Sequence, residues 1–82
     1  MDRIVIRDKD GDPVYSSKNL RGLRDFIGKG NYPSTVAIER VGDGTQAKLF
    51  IRFENSYSCE VNFQSFTVLK GVLRRWRNLE GY

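Results

Sequence analysis

Between Ala47 and Phe63 the chain alternates twice between apolar and polar residues. Ala47, Leu49, Ile51 and Phe53 fall on one side of an extended segment, with Lys48, Phe50 and Arg52 on the other. After a turn at Glu54–Ser56, Tyr57, Cys59, Val61 and Phe63 alternate with Ser58, Glu60 and Asn62. A period of two over this length predicts two strands of an antiparallel sheet with one covered face and one wet face. Thr35–Val41, rich in β-branched residues, predicts a third strand, joined to the next by a turn at Gly42–Thr45. At the N-terminus Arg3–Asp8 reads as a strand. Asp10-Gly11 follows as a hairpin signal, because a tight primed turn needs positive φ. Pro13–Ser16 is the returning strand, and Pro13, which has no amide hydrogen to donate, places it at a sheet edge.

Two segments change period. Leu20, Leu23, Phe26 and Ile27 recur at helical spacing after Ser16 or Ser17, either of which could cap the helix, and Gly28 and Gly30 could end it through a left-handed residue. Gly22 inside this helix costs stability relative to alanine, which points to close packing against another element. Asn31–Ser34 reads as loop. Ser65 opens the last helix, in which Val68, Leu69, Val72, Leu73, Trp76 and Leu79 form one broad apolar stripe. Lys70, Arg74 and Arg77 lie nearly opposite, on one line, with Arg75 at the border. The order is ββαβββα. It predicts a single compact α+β domain over residues 1–82: a two-layer sandwich with a mainly antiparallel five-stranded sheet and two helices on one face. The expected core is Leu23, Ile27, Ile38, Leu49, Ile51, Val61, Phe63, Val72, Leu73 and Trp76.

Composition narrows the function more than it specifies it. The chain has 82 residues, 39% hydrophobic and 29% charged, with a net charge of +4. The charge is uneven. Residues 1–16 hold Arg3, Arg7 and Lys9 against Asp2, Asp8, Asp10 and Asp12, whereas residues 66–82 hold Lys70, Arg74, Arg75 and Arg77 against Glu80 alone. A basic segment of this kind favours an acidic macromolecular surface as partner. No apolar run approaches the ~18 residues of a membrane span, and the first residues lack the apolar core of a secretory signal. One cysteine allows no internal disulfide, which suits a reducing cytoplasm.

Candidate chemistry is sparse. The sequence has no histidine, the usual general base and the commonest zinc ligand. Cys59 falls on the apolar side of its strand without a histidine partner, which argues against a catalytic thiolate. Asp8–Asp12, "DKDGD", begins like a calcium loop, but Pro13 and Asn19 occupy the positions that need glycine and a bidentate glutamate. Gly42–Ala47, "GDGTQA", has the letters of a dinucleotide fingerprint, but a strand follows where a helix N-terminus is required. The expectation is therefore no enzyme, no cofactor and no metal. Two surfaces remain as candidate contacts. One is the stripe Lys70, Arg74, Arg75 and Arg77. The other is the wet face of the sheet, where Lys48, Phe50 and Arg52 point outward and are joined by Arg3 and Arg7 if Ile4 and Ile6 point inward.

From Ser17 onward the order αβββα is similar to that of the double-stranded-RNA-binding domain. That resemblance implies a nucleic-acid partner, and it departs at Gln64–Thr67, where the family carries lysines at the start of the last helix and this chain has no cation. The expected function is a small non-enzymatic binding protein, of the size of phage and mobile-element inhibitors and accessory factors. Its expected partner is a protein ahead of a nucleic acid, with no membrane contact.

Overall fold

The computed structural model describes residues 3–43 and 45–75. The strands are β1 (Ile4–Arg7), β2 (Pro13–Ser17), β3 (Pro33–Val41), β4 (Gln46–Phe53) and β5 (Ser58–Phe63). The helices are α1 (Leu20–Gly28), between β2 and β3, and α2 (Phe66–Arg75), after β5. The strands form one sheet in the order β2-β1-β5-β4-β3, with every neighbouring pair antiparallel. Pro13 thus begins an edge strand, as its missing amide hydrogen requires.

Local chemistry explains most boundaries. In the first hairpin Gly11 takes φ 88°, and the Asp8 carboxylate accepts from the amides of Asp10 (2.9 Å) and Asp12 (3.0 Å). The first acid of "DKDGD" therefore holds a turn. In the β3–β4 turn, Asp43 accepts from the Thr45 amide and, at 2.7 Å, from its hydroxyl, and these bonds lower its pKa. The N-cap of α1 is Asn19, and neither Ser16 nor Ser17: the Asn19 side chain accepts from the Gly22 amide at 3.2 Å. Strand β2 runs on through Ser17, whose hydroxyl donates to the Asn19 carbonyl at 2.8 Å and so supports the cap indirectly. Gly30, at φ 104°, closes the helix. At the start of α2 the Ser65 hydroxyl accepts from the Val68 amide, and the Phe66 amide donates to the Thr45 carbonyl at 2.8 Å.

One apolar cluster joins the layers. Ile4 and Ile6 of β1, Ala47, Leu49, Ile51 and Phe53 of β4, and Cys59, Val61 and Phe63 of β5 bury against Leu23, Phe26 and Ile27 of α1 and Leu69 of α2. Both helices therefore cover the same sheet face. Phe26 sits at the centre of an aromatic group, 5.1 Å from Tyr15 and 5.3 Å edge-on from Phe53 between ring centroids. The predicted register is correct: Leu49 and Ile51 are buried and Phe50 faces the other way.

The expected core is too wide. Ile38 lies opposite Leu49, on the covered side, yet is 42% exposed. It belongs to the edge strand β3, while α1 lies nearest β2 and α2 lies over β4 and β5. The α2 stripe is also narrower than its sequence suggests. Leu69 is fully buried, Val72 and Leu73 are half-buried against the cluster, and Val68 is 55% exposed. A groove lined by Leu20, Arg21, Arg24, Val72 and Arg75 runs between the helices, so α1 does not close over that side of α2. Trp76 and Leu79 lie outside the described residues, as does the last expected turn of the helix.

Candidate functional site

The face of the sheet opposite the helices carries the candidate site. Its side chains follow from strand parity: where Ile4 and Ile6 point into the core, Arg3, Val5 and Arg7 point out. The register then sets them in rows. Arg7 pairs with Ser58, and Ser58 pairs on its other side with Arg52, so one serine separates two arginines on a line across β1, β5 and β4. At ~4.8 Å per strand their backbones stand about 10 Å apart. The next row sets Glu60 beside Phe50 and Phe50 beside Ala37. The row beyond holds Asn62, Lys48 and Glu39. Together Arg3, Val5, Arg7, Phe50 and Arg52 line a shallow recess of about 720 Å³.

The charges in this recess are not equivalent. Lys48 reaches diagonally to Glu60 at 3.0 Å, the one ion pair among the described residues. Arg3 donates to the Ser16 hydroxyl at 2.8 Å, and Arg7 to the Gly11 carbonyl at 3.0 Å. Each bond steadies a guanidinium while using only one of its five donors. No carboxylate comes within ion-pair distance of Arg3, Arg7 or Arg52 among the described residues. Phe50 is half-buried although no helix among the described residues covers it. Its cover comes from neighbours on the same face, and long arginine stems suit that role. The arrangement offers planar donors around an apolar floor, which fits carboxylate or phosphoryl oxygens flanking an apolar contact.

Cys59 is not placed as a nucleophile on this face. Cys59 is buried on the opposite side of its strand, and burial pushes its thiol up to about 12. A thiol held protonated is a poor nucleophile. Among the described residues no three acids, cysteines or histidines gather where they could hold a metal ion. No helix among them is long and apolar enough to cross a membrane.

The two candidate surfaces are separate. Arg3, Arg7, Lys48, Phe50 and Arg52 come together on the open face, while Lys70, Arg74 and Arg75 are exposed on α2, in the opposite layer. Arg77 lies outside the described residues. The sequence reading missed three cations. Arg40 sits 4.0 Å over the Phe66 ring, bringing a positive charge to the first turn of α2, and Lys70 approaches the same ring at 5.7 Å. Arg21 and Arg24 face Arg75 across the interhelical groove. Their three-residue spacing puts them on one side of α1, a signal that was present in the sequence.

No protein-family model matches the chain, and no curated protein and no solved structure is significantly similar to it. The αβββα resemblance therefore rests on element order alone.

Proposed function

We propose that this protein is a non-enzymatic binding module that docks an acidic surface of a partner protein on the open face of its sheet. The observation that carries this reading is the set of three arginines, Arg3, Arg7 and Arg52, that have no carboxylate partner among the described residues and stand around the half-buried Phe50. Arginine and aromatic side chains set in a recess are the residue types that dominate binding energy at protein interfaces. The sheet face is preferred to the α2 stripe of Lys70, Arg74, Arg75 and Arg77 because it adds an aromatic floor and a recess to the cations. A protein is preferred to a nucleic acid because the face is a mosaic of both signs. Glu60 lies beside Phe50 and Glu39 beside Lys48, so a uniform polyanion stacking on Phe50 would pass over carboxylates. The proposed class is that of small phage and mobile-element inhibitors and accessory factors, which the chain matches in size alone.

The test is paired charge reversal. Arg7→Glu with Arg52→Glu, and separately Lys70→Glu with Arg74→Glu, are used as baits beside the wild-type chain in a host lysate. The protein retained by the wild type is then purified and titrated against all three by calorimetry. The sheet-face pair should lose at least tenfold in affinity while the helix pair stays near wild type. The reverse order would move the site to α2. Filter binding to duplex and single-stranded nucleic acid over a salt series provides the other arm. A steep fall of affinity with salt that flattens in the sheet-face variant would replace the protein partner with a nucleic acid.

A further inference from the structure

The two edges of the sheet are built differently. Strand β2 is short, begins at Pro13 and pairs with β1 through an irregularity at Ile6/Arg7. These are devices that discourage a further strand from adding. Strand β3 also begins at a proline, Pro33, with an irregularity between Pro33 and Thr35, but beyond it a seven-residue run pairs with β4 residue for residue, from Thr35 opposite Arg52 to Val41 opposite Gln46. Of its two charged side chains, both exposed, Arg40 lies over Phe66 and Glu39 stands opposite Lys48 of β4. At the midpoint of this regular run is Ile38, 42% exposed on the helix side. Among the described residues no strand lies beyond β3, so one row of its backbone donors and acceptors faces outward.

We propose that β3 is a self-association edge, on which β3 of a second copy of this chain adds antiparallel about a two-fold axis at Ile38. A two-fold perpendicular to the sheet keeps both faces in register. It sets Ile38 against Ile38 of the second copy, Ala37 against its Glu39, Val36 against its Arg40 and Thr35 against its Val41. No like charges meet. Shifting the axis one residue toward the C-terminus would set Glu39 against Glu39, which is unfavourable. The pairing satisfies the outward backbone groups and removes Ile38 from water. It also produces a continuous sheet of twice the width, with two copies of the Arg7–Ser58–Arg52 row on one face. The proposal is independent of what that face binds.

Sedimentation equilibrium of the full chain, from micromolar to millimolar concentration, tests it. The wild-type mass should rise from monomer to dimer. Ile38→Lys, which sets two cations against each other on the axis, should stay monomeric throughout with an unchanged thermal melt. Under mild oxidation Ile38→Cys should give a disulfide-linked dimer and Arg40→Cys should not. Two copies of position 40 would be about 13 Å apart along the strands, beyond disulfide reach. A wild-type chain that stays monomeric at millimolar concentration overturns the proposal. So does a dimer that survives Ile38→Lys, or equal crosslinking from both cysteine variants.

Discussion

Gly22 and Gly71 sit in the interiors of the two helices, and alanine should have opposite effects at the two positions. By helix propensity alone either change gains about 1 kcal/mol. At Gly71 nothing lies within 4 Å of an added Cβ, so the full gain should appear. At Gly22 the added Cβ would run into Cβ and Oγ of Ser17, with the Tyr15 hydroxyl 3.5 Å away. The Ser17 Cβ is bonded to the backbone of β2, so relief needs movement of the strand or of α1. Such overpacking costs roughly 1–3 kcal/mol. Displacing Ser17 also disturbs its hydroxyl bonds to the Asn19 carbonyl and amide, at 2.8 and 3.2 Å, worth roughly 1 kcal/mol each. With one of these two bonds lost, the net for Gly22→Ala is a loss of about 1–3 kcal/mol. For a domain of this size that lowers the melting temperature by roughly 4–24 °C. Thermal melts followed by circular dichroism, with urea titrations, read both variants. Ser17→Gly removes both clashing atoms, so in that background Gly22→Ala should become neutral or stabilising. If Gly22→Ala melts at or above wild type, the close approach of α1 to β2 is not a packing constraint and the argument fails.

The other predictions are shorter. Leu69→Ala should cost about 2–5 kcal/mol, the range for a fully buried leucine; Leu73→Ala should cost clearly less because Leu73 is half-buried, and Lys70→Ala should stay within ~0.5 kcal/mol. Urea denaturation that ranks Leu73 above Leu69 would mean that α2 is rotated from the orientation described. Cys59 should resist a thiol reagent at pH 8 in the native protein and react at once in denaturant. Its folded pKa is raised from 9.0 to about 12, so its contribution is fully present below pH 9 and is lost as pH rises toward 12. The slope is at most about 1.4 kcal/mol per pH unit. Cys59→Val should flatten that slope, and identical slopes for the two proteins would contradict the assignment.

Much of this architecture is legible in local pattern. The alternation of Ala47–Phe53 and Tyr57–Phe63 fixes which side chains meet the helices, because a slip of one residue would expose Leu49 and Ile51 together. Pro13 marks an edge and Asp10-Gly11 a hairpin for reasons internal to the backbone. What escapes is what depends on non-local pairing. The chain order does not reveal that β1 adds to β5, and without that step Arg7, Ser58 and Arg52 have no reason to share a row. Nor does it reveal that β3 ends up at an edge. Ile38 has the same β-branched, alternating surroundings as a core residue, and only the position of the helices over the other strands leaves it in water. The cap of α1 was misread for a different reason. Ser16 and Ser17 are good caps by residue type, but β2 extends through Ser17, so the role passes to Asn19.

The open face also bears on how such a protein stays dispersed when free. A two-layer fold leaves one side of its sheet without a partner layer, and a large exposed apolar patch there would invite association. Here Phe50 and Val5 are half-buried without any covering element. Arg3, Arg7 and Arg52 line the same recess, and arginine is suited to give cover, because its aliphatic stem can lie over apolar surface while its head stays hydrated. The same side chains are poised for the opposite task. On the proposed reading, a partner carboxylate that drew Arg52 or Arg7 aside would uncover Phe50 as it gained two parallel donors, so the ionic and apolar contacts would form together. The Lys48–Glu60 pair, with both side chains well exposed at 38% and 45%, contributes little to folding. Its effect is on specificity. It sets a fixed carboxylate next to Phe50, which a docking surface must meet with a donor or avoid. A partner that is acidic at its rim and neutral or basic at its centre satisfies that constraint, and a uniform polyanion does not.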